Sequence, residues 1–475
     1  MLHSRLFPGL RIVSRSHPQA SLTRRHGRPC LRVPPLAAVA TALALGGAVR
    51  MAAADPPEVL TPEVVERWVQ IMRAHQPALA ASGERSRAAA LNAEGIRRFE
   101  DPEVRVGGAI FSPEGMNPSE FGNLVYGVEQ KLPVLGKETA NRRRAEAQAA
   151  VEAARTSALL QVFRRDLSIA LFNAALTGRR AALAQEDLVA LEAGRTVAEA
   201  RYGAGEGTSV EVLRLQSEAA RRTTDLASAE DDLRAARASV NRWLGRGPDA
   251  PLPAFGLPDP APLIPYSPQL LRLARLAEPQ LRILDREREV AEAELVVSRR
   301  RRRPDLGLGV EGWQYGGDGG FRQGMFTLSL NLPWLNQDRY RRDIERDAAR
   351  VRASGLDARD RELELEEELY RLTTRIAAER RTALAYRDDI VPRARAADAA
   401  AVAAWTSGRG TLSEVFDTRR ARLEAELEEA RAIAGQWIAL GELLLCCGLE
   451  DLDALWESGS KAETAAAQAI PVTGR

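Results

Sequence analysis

The sequence predicts a mainly α-helical protein with a small β part, arranged as two tandem repeats of long coiled-coil helices plus two β-hairpins. Three observations carry this reading: an internal duplication, apolar stripes of heptad period along helices of about 65 residues, and four short alternating segments in two pairs. The composition agrees. Of 475 residues only 5% are aromatic and 28% are charged, a mix suited to long helices rather than to a large aromatic core.

The duplication is read from five ordered matches. Gln76-Pro77-Ala-Leu79 recurs as Glu278-Pro279-Gln-Leu281, and Asp101-Pro102 as Arg303-Pro304. Lys131-Leu132-Pro133 recurs as Asn331-Leu332-Pro333, and Gly207-Thr208 with Glu211-Val212 as Gly410-Thr411 with Glu414-Val415. Leu244-Gly245 recurs as Cys447-Gly448. All are spaced by about 200 residues, which chance does not supply five times in order. The division is a leader over 1–54, a first repeat over 55–244, a linker over 245–268, a second repeat over 269–457 and a tail over 458–475. Each repeat reads helix, two strands, long helix, helix. Eight prolines keep the linker from being helix interior, and the tail has the small, polar composition of disordered chain.

The first long helix is expected over 138–202. Leu160, Leu167, Ala174, Ala181 and Leu188 fall seven apart, and Val162, Ile169, Leu176, Leu183, Ala190 and Val197 repeat the period on an adjoining face. A two-stranded coiled coil needs one narrow seam; a helix apolar over a wide arc has neighbours on two sides, as in a staved wall. Such a helix is a rod of about 95 Å. Shorter helices over 210–244 and 268–302 would equal it if set end to end, with the linker bulging at mid-height. Trp243 and Trp437 fall on apolar seams and are expected in the core. The vicinal Cys446 and Cys447 project about 100° apart on a helix and read as packing groups.

The alternating segments are Glu103–Phe111, Asn123–Leu132, Asp305–Tyr315 and Gly324–Leu332, with loops over 112–120 and 316–320 at the hairpin tips. In the last, Phe326, Leu328, Leu330 and Leu332 alternate with Thr327, Ser329 and Asn331. Segments of about ten residues suit a transmembrane barrel strand. In lipid every backbone group must pair, so a barrel must close, and four strands cannot close one. Eight strands from two copies or twelve from three would; a tunnel of useful width favours twelve.

Residues 1–54 hold eight arginines and no acid, leaving 59 basic against 65 acidic groups in the remainder. The basic excess thus belongs to a leader, and nucleic-acid binding is not implied. The leader's uncharged stretch over 33–49, followed by Ala52-Ala53-Ala54, reads as a secretory signal peptide. Three of the four histidines also lie there, so His75 alone remains for imidazole chemistry. No nucleophile–base pair, phosphate loop or metal-ligand cluster is visible. An enzyme is not expected, nor is a cofactor or a metal site.

Together these features resemble the TolC-type outer-membrane efflux proteins. The residues that carry the resemblance are Arg201-Tyr202-Gly-Ala-Gly205-Glu-Gly-Thr-Ser-Val-Glu211, its counterpart Gly408-Arg-Gly-Thr-Leu-Ser-Glu414-Val-Phe-Asp417, and Gln130-Lys-Leu-Pro-Val-Leu-Gly136-Lys. The resemblance implies a homotrimer whose α-barrel tunnel joins a 12-strand transmembrane β-barrel. It also implies residence in the outer membrane with extension into the periplasm. The partners would be a periplasmic adaptor and an inner-membrane pump, and the role an exit duct. The other class kept open is a periplasmic coiled-coil adaptor or structural protein, which should carry one helical hairpin rather than two tandem copies.

Site expectations follow. Gly203, Gly205, Gly207, Gly408 and Gly410 are read as the turns of an adaptor-contacting tip, able to take φ > 0. Glu414 and Asp417, i and i+3 on one helix face, and Glu211 are read as a gate and cation ring; compensation of the helix dipole is the competing account. Arg409, Arg419 and Arg420 are near enough in sequence to be partners of the gate acids. Arg142, Arg143 and Arg144 with Arg299, Arg300, Arg301, Arg302 and Arg303 lie where strand meets helix and read as a belt facing lipid phosphates.

Overall fold

The computed structural model describes residues 56–97, 99–108, 123–133, 135–315 and 321–449. The leader, the tail and the two hairpin tips lie outside the described residues.

Proline punctuates the helices. Pro62 opens α1 (Pro62–His75), and Pro77 opens α2 (Pro77–Gly95) directly after it. Proline is tolerated at these first positions because its missing N–H has no intrahelical partner there. The long helix α3 (Lys137–Gly203) runs 67 residues, and α4 (Ser209–Trp243) returns beside it for 35. The segment expected as one helix over 268–302 is two, α5 (Pro268–Ala277) and α6 (Pro279–Arg301). Pro279 ends the first because it disfavours helical geometry at Glu278, whose ψ is 127°. A second rod follows: α7 (Gln337–Ala385), a π-helical turn (Tyr386–Ile390) and α8 (Val391–Thr406) continue without a break. Pro392 lies just past the π turn, where its missing donor disturbs the regular ladder. The last helix is α9 (Leu412–Cys447). It is long and apolar enough to cross a bilayer, but most of its apolar stretch is buried within the protein.

Strands β2 (Glu103–Gly108), β3 (Asn123–Leu132), β5 (Leu306–Tyr315) and β6 (Phe321–Leu330) form one antiparallel sheet in the order β2-β3-β5-β6. The two hairpins meet through β3 and β5, paired from Asn123↔Tyr315 to Leu132↔Leu306. Each strand adjoins a helix: α2 leads into β2, β3 into α3, α6 into β5 and β6 towards α7. The order of the staves therefore follows the order of the strands.

The half-length helices stack differently from the sequence expectation. The end of α4 meets the start of α2: the Gln76 side-chain amide donates to the Trp243 carbonyl at 3.2 Å, and a Cβ on Gly245 would lie 2.6 Å from the His75 carbonyl oxygen. The end of α9 meets the start of α6, where a Cβ on Gly448 would strike the Ala277 carbonyl. Both glycines have positive φ, 70° and 61°. So 209–243 continues 77–95, and 412–447 continues 279–301; the pairing of 210–244 with 268–302 is corrected. Each joint lies where a left-handed C-cap lets one helix end abut the next helix start.

The main core sits at these joints. Leu167, Leu171, Leu365, Leu369, Leu372, Ile376 and Leu440 are fully buried there. The linker does not bulge outward. Its Phe255, Ala261 and Ile264 enter the core, and β4 (Phe255–Gly256) pairs in parallel with β1 (Glu58–Val59). Gln436 holds it by donating to the Ala261 carbonyl at 2.9 Å and accepting from the Ala261 N–H at 3.0 Å. The Trp437 indole donates to the Asp259 carbonyl at 3.0 Å and stacks on Phe172. Cys446 and Cys447 are buried and unbridged, and burial pushes the Cys447 thiol up to about 12.

Candidate functional site

Three places matter: the two helical turns, the charges buried behind them, and the sheet at the other end.

The turns are built alike. After α3 the carbonyl of Arg201 accepts from the N–H groups of Glu206 and Gly207, at 2.9 and 3.1 Å. After α8 the carbonyl of Ala404 accepts from Arg409 and Gly410, at 2.8 and 3.0 Å. Only Gly205 (φ 76°) and Gly408 (φ 72°) take the left-handed conformation. Gly207 and Gly410 serve close approach: a Cβ on Gly410 would sit 3.0 Å from the Ala404 Cβ. Gly203 needs neither, so of the five glycines able to take positive φ two use that freedom. The turns lie side by side. Arg201 donates to the Trp405 carbonyl at 2.9 Å and covers the Trp405 ring at 5.8 Å from its centroid. Beneath them Leu191, Ala198, Leu215, Trp405, Leu412 and Val415 form a small separate core.

Glu414 is engaged by its own helix. Its carboxylate accepts from the Thr411 N–H at 3.0 Å, and Thr411 Oγ1 accepts from the Glu414 N–H at 3.3 Å, a complete capping box. Asp417 is exposed one turn on, and Glu211 is half-buried at the start of α4, its N–H capped by Thr208. The expected arginine partners do not reach these acids. Arg409 donates to Ser407 Oγ at 3.2 Å, and Arg419 turns inward.

Arg419 enters a buried charge cluster that sequence reasoning missed. Asp187 on α3 is 2% exposed, with Arg222 of α4 at 3.2 Å and Arg419 of α9 at 3.8 Å. Arg419 is also 3.8 Å from Asp398 on α8, which Arg422 approaches at 3.2 Å. All four helices below the joints contribute. Yet Asp187 Oδ1, Asp398 Oδ1, Arg419 Nε and Arg422 Nε make no hydrogen bond. Burial pushes the Asp187 carboxyl above its ordinary range, although Arg222, Arg419 and Arg422 pull the other way. A signal was present: Asp187 lies four residues from each of the buried Leu183 and Leu191, on the apolar arc. Nearby, Glu426 is held by Arg179 at 3.0 Å and Arg395 at 2.8 Å.

At the far end the sheet is two-faced. On one face Val104, Val106, Val128, Val310, Phe326 and Leu328 are exposed, Val106 to 71% and Phe326 to 68%. On the other, Arg105 bridges Glu129 and Glu311, and Ser329 donates to Glu129 at 2.6 Å. Gly127 makes room for this layer, since a Cβ there would lie 2.6 Å from Glu311 Cγ. At the strand–helix boundary Arg142 pairs with Glu146 at 2.9 Å, and Arg303 donates to the Leu135 carbonyl at 3.0 Å. Arg143, Arg299 and Arg302 are exposed, and Arg300 lies against Gly136. Among the described residues no group of three His, Cys, Asp or Glu side chains could hold a metal.

Residues 270–448 match the family model for outer membrane efflux proteins. VceC of Vibrio cholerae, a solved outer membrane protein, shares the fold at a TM-score of 0.67 and 17% identity, over 81% of this chain and 96% of its own. The CmeC outer membrane channel of Campylobacter jejuni gives 0.69 at 12% identity, over 91% and 98%. The MtrE outer membrane channel of Neisseria gonorrhoeae, in its open state, gives 0.68 at 16%, over 81% and 89%. This is the fold of a TolC-type outer-membrane efflux channel. No curated protein matches the sequence. In this fold the turns lie at the end of the long helices remote from the sheet.

Proposed function

We propose that the chain is the exit duct of a tripartite efflux pump, passing solutes passively from the periplasm to the outside. In this reading three copies close a 12-strand barrel in the outer membrane, and their staves close a periplasmic tunnel. The observation that carries it is the sheet: its aliphatic face is open and, among the described residues, its edge strands β2 and β6 lack partners on their outer sides. Unpaired strand edges and an apolar outer face are untenable in lipid unless further strands complete the ring. The half-buried stripe of Val162, Ile169 and Leu176 on α3 supports further packing of staves in the same way.

The turns at Gly203–Gly207 and Gly408–Gly410 are the tip an adaptor grips. Glu414, Asp417 and Glu211 form the acidic ring of the inner gate; capping by Glu414 is compatible, because a capping carboxylate still carries its charge. The arginines at 142–144 and 299–303 face lipid phosphates. The test is reconstitution of the full chain. Crosslinking in mild detergent should give trimers, and planar bilayers should show ohmic channels. A monomer that conducts alone, or a trimer with no conductance, would overturn the reading.

A further inference from the structure

At the strand-ward end of the rods, α3, α6 and α7 border a partly open cavity of about 170 Å³. Four arginines line it: Arg144 of α3, Arg301 in the last turn of α6, and Arg346 and Arg350 of α7. Two acids face them. Asp347, 2% exposed, lies 2.8 Å from Arg346 and 3.4 Å from Arg350 and accepts from Ser298; Glu294 lies 3.6 Å from Arg350. These acids answer the arginines of α7. Arg144 and Arg301 have no acid within ion-pair distance among the described residues, and Arg144 Nε is buried without an acceptor. A buried guanidinium N–H without an acceptor is costly. Arg419 and Arg422 share that condition but have carboxylates beside them, whereas Arg144 has none, which leaves room for an anionic ligand.

The cavity has room for roughly five water-sized groups at about 30 Å³ each, enough for the five heavy atoms of a phosphate. Two arginine forks on facing helices match phosphate oxygens in geometry and charge. We propose that this cavity binds a phosphate group between Arg144 and Arg301. The location favours a lipid headgroup as its source. Arg144 lies in the second turn of α3, about 10 Å from the strand end of the helix, and Arg301 closes α6 just ahead of β5. That is the level of the periplasmic leaflet if the outer-membrane reading holds; the lipid source rests on that reading and the phosphate chemistry does not.

The test uses the full chain in a phosphate-free maltoside detergent, titrated separately with dihexanoyl phosphatidylglycerol and with inorganic phosphate by calorimetry. The expected result is saturable lipid binding, weakened at least about tenfold in Arg144→Gln/Arg301→Gln and kept within about threefold in Arg352→Gln, whose exposed side chain is outside the cavity. Inorganic phosphate binding with the same dependence, and no lipid binding, would support the site with the free ion as its ligand. Binding of neither, or equal binding by wild type and the double variant, overturns the proposal. If the double variant does not fold, Arg301→Gln, at an exposed helix end, carries the comparison. Bilayer conductance of the wild type reports the channel reading separately, so either idea can fail alone.

Discussion

Two buried aspartates sit at opposite ends of the rods, and their surroundings have opposite effects. Asp347, near the sheet, accepts hydrogen bonds from Arg346 and Ser298, and the Arg346 guanidinium leads in holding its carboxyl below the ordinary range. Asp187, towards the tip, has three arginines around it, but burial outweighs them and its carboxyl is pushed up. The number of nearby cations does not decide the outcome; hydrogen-bonded geometry does, because desolvation must be offset by directed contacts. The sheet end is therefore electrostatically locked, and the tip end is held by charges that are close but not satisfied.

The largest effect should come from breaking the tip alone. Gly205→Val and Gly408→Val each force a β-branched residue into a left-handed turn, a local strain of about 1–3 kcal/mol. Efflux-dependent resistance should be lost while crosslinked trimers still form in the outer membrane. Unchanged resistance in both variants would remove the turns from the working parts.

Next comes Asp347→Asn, which leaves the Arg346 fork without its carboxylate. Thermal unfolding at pH 7 should register a loss of about 1–3 kcal/mol. The folded carboxyl is depressed, so its contribution is present above the unfolded value near 3.9 and disappears as pH falls through the folded value. Variant and wild type should therefore converge at pH 2–3, and a penalty that persisted there would place the effect in packing.

Asp187→Asn should cost less than Asp347→Asn at pH 7, because burial already works against the ionised carboxylate. Here the sign reverses. A raised carboxyl contributes stability below its unfolded value and loses it as pH rises through the folded one. The wild type should gain on the variant upon mild acidification; a loss of several kcal/mol at pH 7 would show the tip to be as locked as the sheet end.

The smallest change in stability is expected for Glu414→Ala with Asp417→Ala, about 0.5 kcal/mol from lost dipole compensation and capping. Its readout is conductance. Divalent cations added from the tip side should block the wild type and block this variant markedly less. Equal block would leave these acids as caps only.

The sequence made much of the architecture legible. Alternation in Phe326–Leu332 and heptads through Leu160–Leu188 report one element at a time, and they located the strands and the first long helix to within a few residues. Stacking was not legible, because which helix end abuts which start depends on Gly245 and Gly448 meeting carbonyls from distant segments. The break at Pro279 was readable, because a proline disfavours helical geometry at the residue before it. At the site, Thr411-x-x-Glu414 already spelled a capping box. The buried acids were obscured because a one-dimensional charge count treats Asp187 like any solvated aspartate, and only its four-residue spacing from two buried leucines marks it.

The joints at Gly245 and Gly448 also constrain how such a chain can change in length. Because α3 is continuous while its neighbours are each two helices butted together, the rod acts as a ruler. One heptad inserted into α3 would add about 10 Å to one stave only. The flanking pairs would then fall short unless they lengthened by the same step. Variation in length between chains of this fold should accordingly come as concerted whole-heptad insertions in every stave, while the turns, which lie beyond the ruler's ends, are free to vary singly.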